Sequence, residues 1–245
     1  MESEVKSQGG TVRLLHPWRY MNVVCPGCFS YVMKHCLKSI KINQETAEEV
    51  REAFWHTSAH VMAQAVKRLY PKTKCAIGPA IENGFYYDFE FSFPFTEESL
   101  KEVEAEMKKI VKESLSLQVY EMSREEAISY MEQEKEPYKL EMIQNLPKTE
   151  KISFYRQGNY AEFCAGPHIS NTCQIKAFKL LSVAGAYWRG DEHNKMLTRI
   201  YGISFPKASE LEQYLKMQEE ARLRDHRKLG KELGSLSGKY VYHSD

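Results

Sequence analysis

The stretch Trp55-His56-Thr57-Ser58-Ala59-His60 lies inside a helical pattern over residues 48–70, which Pro71 ends because proline lacks a backbone N–H. At 100° per residue, His56 and His60 lie about 40° apart on the helix surface. Both fall outside the apolar arc that we expect to face the core. That arc holds Phe54, Ser58, Val61, Met62, Ala65, Val66 and Leu69. The pattern predicts that the core covers one side of this helix and that the imidazoles face a separate site.

A second pair of polar residues with the same internal spacing follows about a hundred residues later, in Cys164-Ala165-Gly166-Pro167-His168. Gly166-Pro167 bends the chain, so we expect Cys164 and His168 to lie on a tight loop and not on a helix. The two pairs together supply three imidazoles and one thiol. These four side chains could converge on one site.

Several chemistries are open to such a cluster. Three histidines and one cysteine could bind zinc tetrahedrally, although the wide separation of the two pairs lends that reading little support. Imidazoles could instead position a water for metal-free acid–base chemistry, with Lys139 or Glu162 nearby. Cys164 could also act as a nucleophile activated by an imidazole. The remaining alternative is a purely structural role for all four residues.

The composition is that of an ordinary globular protein. Of the 245 residues, 42% are hydrophobic and 27% are charged, and the net charge is +1, so a nucleic-acid partner would need a local basic patch. No apolar run long enough to span a membrane and no secretory signal pattern is present in the sequence. Six cysteines are too few for a disulfide scaffold, which favours the cytoplasm. Cys25 and Cys28 form a CxxC pair, which we interpret as a turn and not as a zinc or redox site.

The rest of the chain alternates between helices and strands. After the turn Glu82-Asn83-Gly84, aromatic and polar side chains alternate over residues 85–93, as in a half-buried antiparallel strand. Thr96 is a predicted N-cap, and Ser123 with Glu126 a predicted capping box. Further strands are predicted at 118–122, 152–156, 175–183 and 195–203, and helices at 97–115, 124–136 and 209–233. This order predicts an α+β fold with a mainly antiparallel sheet, packed helices and a C-terminal linker helix.

Five motifs, in this order, resemble the threonyl-tRNA synthetase family. They are Trp55-His56-Thr57-Ser58-Ala59-His60 through Leu69-Tyr70-Pro71; Ala76-Ile77-Gly78-Pro79 through Asn83-Gly84-Phe85-Tyr86-Tyr87-Asp88; Cys164-Ala165-Gly166-Pro167-His168; Ala184-Gly185-Ala186-Tyr187-Trp188-Arg189-Gly190-Asp191; and Arg224-Asp225-His226-Arg227-Lys228-Leu229-Gly230-Lys231. The resemblance covers about residues 48–233. It corresponds to the N-terminal editing domain of that family, which is related to alanyl-type editing domains, plus the helix that leads to the catalytic core.

The resemblance implies that the domain hydrolyses the ester of serine wrongly attached to threonine tRNA. A missing methyl group gives only about 1–3 kcal/mol of discrimination, so such an enzyme needs a second pocket that removes serine. By resemblance, the catalytic residues are His56, His60, Cys164, His168, Lys139 and Glu162, and Tyr87 binds substrate. No cofactor is expected for editing, whereas in alanyl-type relatives the same quartet binds zinc. Glu162 stands where the family more often has aspartate, and Ala165 where it often has arginine.

The resemblance also implies a division of the chain. The chain comprises an unassigned segment (1–43), the editing domain (44–206), a linker helix (207–233) and a tail (234–245). The family's ubiquitin-like N-terminal domain is not recognisable in residues 1–43, and its ATP-dependent catalytic core is not recognisable after residue 233. We therefore expect a fragment, a truncated product or a free-standing editor that binds no ATP, with a synthetase chain as a possible partner. The expected tRNA-binding residues are Arg222, Arg224, Arg227, Lys228 and Lys231.

Overall fold

The computed structural model describes residues 5–7, 10–12 and 44–237. The first two segments are strands β1 (Val5–Ser7) and β2 (Gly10–Val12), which pair antiparallel. The CxxC pair Cys25 and Cys28, interpreted above as a turn, lies outside the described residues.

The larger sheet is antiparallel and contains β3 (Lys74–Cys75), β4 (Ala80–Ile81), β5 (Gly84–Glu90), β9 (Ala177–Tyr187) and β10 (Met196–Phe205). The strand order is β3-β5-β10-β9, and β4 pairs with β5 through the predicted turn at residues 82–84. The aromatic face predicted for β5 is buried, with Phe85, Tyr87 and Phe89 fully enclosed. The alternation is incomplete, because Asp88 on the other face is also buried and pairs with Arg199 on β10.

Two long helices cover this sheet. The first, α1 (Gln44–Leu69), packs against β4, β5, β10 and α2 (Glu97–Glu113). Thr96 caps α2 as predicted, because its hydroxyl accepts a hydrogen bond from the Ser99 backbone N–H. The two helices and the aromatic face of the sheet enclose the main core.

A smaller layer follows α2 in the chain. Strands β6 (Leu117–Met122), β7 (Ile152–Gln157) and β8 (Tyr160–Phe163) form a three-stranded antiparallel sheet. Helices α3 (Arg124–Gln133) and α4 (Pro137–Asn145) lie between β6 and β7 in sequence and pack against each other. The predicted capping box of Ser123 and Glu126 is present at the start of α3. The α+β fold with mainly antiparallel pairing is thereby confirmed.

The core covers more of α1 than the predicted apolar arc, because it also includes Ala59 and Ala63. Every residue from Thr57 to Val66 is buried. The second layer covers the other side of the helix, where the Gln157 side chain on β7 donates to the His60 carbonyl (3.2 Å) and to the Gln64 side-chain oxygen (2.9 Å). The histidines therefore face an interior seam between the two layers, which no single-helix pattern can reveal.

Several element boundaries differ from their predictions, among them the ends of β5, which stops at Glu90, of α3, which stops at Gln133, and of the two elements described next. Strand β9 continues four residues beyond Val183, because pairing with β10 extends from Ala177 to Tyr187. The C-terminal helix α5 (Ala208–Ser237) packs against β9 and β10 and runs through Gly234, where a tail was expected. In the part of the chain that the structure describes, every helix is too short or too polar to cross a lipid bilayer.

Candidate functional site

The four predicted ligand-type residues converge. Helix α1 carries His56 and His60, and the loop after β8 carries Cys164 and His168. One side-chain donor atom from each of the four lies within 4.8 Å of the other three. The ring of His168 lies 4.2 Å from that of His56 and 4.1 Å from that of His60, between centroids. The loop conformation predicted from Gly166-Pro167 is confirmed, and it is this bend that returns His168 to the helix.

The thiol of Cys164 lies at the centre of this cluster. Its Sγ is 3.3 Å from the Nε2 atoms of both His56 and His168, and it accepts a hydrogen bond from the Gly166 N–H at 3.2 Å. Burial raises the pKa of Cys164 to about 12, although the Gly166 hydrogen bond opposes the shift. The sulfur is therefore protonated near neutral pH. A thiolate nucleophile, one of the open alternatives, is disfavoured because burial outweighs the Gly166 hydrogen bond and the charge of Lys139, which both favour the thiolate.

Thr57 fixes the proton on His168. Its hydroxyl lies 2.7 Å from the Ala53 carbonyl oxygen, a distance that requires a proton between the two oxygens, and the hydroxyl has only one. The same oxygen accepts from the Ile169 N–H at 3.0 Å and lies 3.1 Å from His168 Nδ1. His168 Nδ1 must therefore be the donor to Thr57. The Nε2 atom of His168 then keeps its lone pair and is able to accept the Cys164 S–H.

The histidines are neutral near pH 7. Burial lowers the pKa of His56 below its ordinary value of 6.5, and the attraction of Glu162 only partly offsets this. The pKa values of His60 and His168 lie further below 6.5, again mainly because of burial and then because the other imidazoles lie so close. Neutral imidazoles can accept a proton from water, as acid–base chemistry at this site requires.

A buried ion pair lies beside the imidazoles. Lys139 on α4 donates from Nζ to Glu162 Oε1 on β8 at 2.6 Å, and both side chains are at most 6% exposed. Burial alone would raise the pKa of Glu162, but the charge and hydrogen bond of Lys139 hold it below its usual value. Burial likewise opposes the charge on Lys139, yet Glu162 holds the pKa of that amine above its ordinary value. Both groups are therefore ionised.

The Glu162 carboxylate has three further polar neighbours. Tyr87 donates to Oε1, Tyr160 donates to Oε2 at 2.9 Å, and His60 Nε2 lies 3.6 Å from Oε2. Tyr160 was not among the predicted site residues. Its position two residues before Glu162 on one strand, and so on the same face, is the signal that would have found it. Thr57 was not predicted as a site residue either, because a single-helix pattern offers no signal for it.

The cluster forms one end of an open cleft of about 570 Å³. Its wall includes Gly78 and Pro79 before β4, and Met142 and Leu146 at the end of α4. Gly78 is required there, since a Cβ at this position would lie 2.1 Å from the Tyr87 ring. Of the predicted catalytic residues, His56, His60, Lys139, Glu162 and Cys164 line the cleft, whereas His168 lies behind Cys164.

The residues predicted to bind tRNA lie elsewhere, on α5. Arg222 and Arg224 are exposed. Arg222 forms an ion pair with Glu219 (2.7 Å), and Arg224 donates to the Glu220 carbonyl oxygen (3.3 Å). The structure describes only the backbone at Arg227, Lys228 and Lys231, which belong to the same helix. Binding of tRNA by these five residues stays a prediction.

The quartet also fits a zinc ion by its chemistry. Imidazole nitrogen and thiolate sulfur are both zinc ligands, four of them complete a tetrahedral set, and His60 Nδ1 is buried without a hydrogen-bond partner. Zinc bound by all four side chains would have a complete tetrahedral shell, which leaves no position for water. Zinc binding by His56, His60, Cys164 and His168 is thus possible, and it would suit a structural site better than a hydrolytic one.

Comparisons with known proteins identify relatives of this chain. Residues 152–201 match the family described as the threonyl and alanyl tRNA synthetase second additional domain. The chain is 64% identical over 186 residues to the threonine--tRNA ligase of Clostridium tetani. This match covers 76% of this chain and 29% of that protein. It is 60% identical over 190 residues to that of Caldanaerobacter subterraneus, covering 78% of this chain and 30% of that one. The resemblance to threonyl-tRNA synthetases is thereby confirmed. The chain spans about 30% of the length of these curated relatives.

Proposed function

We propose that this chain is an aminoacyl-tRNA deacylase that hydrolyses the ester of serine mischarged onto tRNA(Thr). The observation that carries the proposal is the meeting of neutral imidazoles with a charged Lys139–Glu162 pair at the end of an open cleft. The similarity to threonine--tRNA ligases supports the substrate class. The free thiols of Cys75, Cys164 and Cys173 suit a reducing compartment, and we propose the cytoplasm.

In the proposed mechanism, His56 and Lys139 hold a water molecule against the ester carbonyl carbon. His56 accepts a proton from the water as its oxygen attacks, because the lowered pKa keeps this imidazole neutral. Lys139 bears the charge that stabilises the developing oxyanion. The bond between the carbonyl carbon and the ribose oxygen then breaks, and the proton returns to that oxygen. The products are serine and tRNA(Thr).

The other four catalytic residues shape the site in this proposal. Glu162 keeps Lys139 charged and fixed, with Tyr87 and Tyr160 as further donors to the carboxylate. Cys164 contacts both His56 and His168, and these contacts orient the His56 ring. The His60 ring packs edge-on against the His56 ring and completes the site. The Tyr87 ring packs against Gly78 and so supports the wall of the substrate pocket. No step requires ATP or a metal.

The test compares hydrolysis of seryl-tRNA(Thr) with that of threonyl-tRNA(Thr) at low salt. We expect selective loss of serine by the wild-type chain. His56→Ala should lower the rate by at least about 100-fold and leave tRNA binding unchanged, since a positioned base contributes that much. His193→Ala is the matched control, because His193 is an exposed histidine outside the cleft.

The pH dependence and metal content complete this test. The rate should fall only below pH 6.5, because His56 must be neutral and its pKa lies below that value. Normal hydrolysis by His56→Ala would refute the catalytic assignment. Absence of hydrolysis in folded protein that still binds tRNA would favour a non-catalytic tRNA-binding role. Stoichiometric zinc in active protein, with loss of activity on chelation, would favour an alanyl-type zinc-dependent editor.

A further inference from the structure

The turn Trp188-Arg189-Gly190, which joins β9 to β10, contributes a cation to the mouth of the cleft. Among the described residues that line the cleft, the permanent cations are Lys139 and Arg189. Lys139 is buried and paired with Glu162. Arg189 is 46% exposed in its side chain, so its charge is available to a ligand that enters from solvent.

The backbone of this turn is held in an unfavourable conformation. Arg189 has φ 57° and ψ 19°, in the left-handed region that residues with a Cβ seldom adopt. Such conformations persist only where surrounding contacts enforce them, and they concentrate at ligand-binding positions. Here the Trp188 N–H donates to the Lys195 carbonyl, and the Asn194 side chain donates to the Trp188 carbonyl, both at 3.0 Å.

The turn is also anchored to the helix that carries Lys139. The buried Trp188 indole donates to Glu141 Oε2 on α4 at 3.0 Å and packs against the Tyr138 ring. Arg189 Nη2 lies 2.9 Å from Glu141 Oε1, and its guanidinium carbon lies 5.6 Å from the centre of the Trp188 ring. One helix, α4, thus fixes both the buried cation of the catalytic cluster and the exposed cation at the mouth.

The ion pair with Glu141 leaves Arg189 able to bind an anion. Both partners are more than 40% exposed, and exposed ion pairs contribute little, so exchange for another oxyanion is inexpensive. A guanidinium has five N–H donors in a planar fork that matches two phosphate oxygens. The contact with Glu141 is through Nη2, at 2.9 Å. Glu141 itself is not among the residues that line the cleft.

We propose that Arg189 binds a backbone phosphodiester of the RNA whose 3′-terminal ester enters the cleft. This inference rests on the proposed function and deepens it, because it assigns the contact that directs a polynucleotide to the site. Arg189 is a substrate-binding residue in this assignment, whereas the ester chemistry stays with the cluster around His56. A substrate without a phosphodiester does not use the contact.

The experiment uses two substrates and three variants of the full chain. The substrates are an RNA minihelix ending in CCA, free or seryl-esterified, and the seryl ester of adenosine, which has no phosphodiester. The variants are Arg189→Ala, Arg189→Lys and the control Arg156→Ala. Arg156 is also exposed and lies over an aromatic ring, that of Tyr120, at 5.2 Å, but it is outside the cleft.

For Arg189→Ala we expect about tenfold weaker binding of the minihelix at low salt, and a salt dependence whose slope is reduced by about one. Arg189→Lys should fall between wild type and Arg189→Ala, because it keeps the charge and loses the planar fork. Hydrolysis of the esterified minihelix should fall by a similar factor through KM. Hydrolysis of seryl-adenosine should not change, and Arg156→Ala should behave as wild type.

Equal losses on both substrates would overturn the proposal, since they would indicate a disturbed site and not a lost phosphate contact. An unchanged salt slope for minihelix binding would also overturn it. If wild-type protein hydrolyses neither substrate, the proposed deacylase function fails. The binding measurements with free minihelix still decide the role of Arg189 in that case.

Discussion

Helix α4 carries one partner of each of two ion pairs with opposite surroundings. Lys139–Glu162 is at most 6% exposed and has a 2.6 Å contact, while Glu141–Arg189 is more than 40% exposed and has a 2.9 Å contact. Water screens the exposed pair, so its partners can separate at little cost. Neither member of the buried pair can lose its partner without leaving an uncompensated charge in the interior. Helix α4 thus carries one member of a fixed ion pair beside the imidazoles and one member of an exchangeable ion pair at the cleft.

The buried pair should show the largest effect on mutation. Lys139→Met or Glu162→Gln alone should each reduce the free energy of unfolding by about 3–5 kcal/mol, because the remaining group loses its partner. The double variant should be more stable than the sum of the two single losses predicts. Urea unfolding of the four proteins measures both quantities. Lys151→Met with Glu121→Gln, an exposed pair on the smaller sheet, is the control.

A loss below about 1 kcal/mol for Lys139→Met would show that the buried pair resembles an exposed one in energy. The contrast between the two ion pairs of α4 would then be refuted.

Substitutions at Thr57 test whether the hydrogen bonds around His168 are fixed in the same way as the buried ion pair. Thr57→Val should leave the Ile169 N–H and His168 Nδ1–H without their acceptor, which costs about 1–3 kcal/mol of stability for each buried donor. Nitrogen NMR should show His168 shifting from the Nδ1–H form toward a mixture of tautomers, and ester hydrolysis should decrease. Thr57→Ser keeps the hydroxyl and should restore the tautomer. An unchanged His168 spectrum in Thr57→Val would contradict the hydrogen-bond assignment.

The exposed pair should give the smallest effect. In a double-mutant cycle of Arg189→Ala and Glu141→Gln, the coupling free energy of the pair should be at most about 1 kcal/mol and should decrease with salt. Gln at position 141 retains an oxygen that can accept from the Trp188 indole. A coupling above about 2 kcal/mol would show that Arg189 is committed to Glu141 and unavailable to a ligand.

The sequence was sufficient wherever local chemistry sets the structure. The caps at Thr96 and Ser123, the turn at residues 82–84 and the loop at Gly166-Pro167 depend on a few adjacent residues, and each appears as predicted. The shared spacing of the His and Cys pairs led to the correct convergence of four residues. The resemblance to the family supplied the roles of Lys139 and Glu162, which no periodicity would have joined.

Tertiary structure decided the rest, because burial and proton positions depend on distant contacts. The second sheet covers the histidine side of α1, so the site that the imidazoles face lies between two layers. Asp88 is buried on the polar face of β5 only because Arg199 comes from β10. The proton on His168 is fixed by Thr57, 111 residues away in the chain. Sequence identified the reactive groups, whereas packing between layers determined their protonation, their exposure and the cleft that they line.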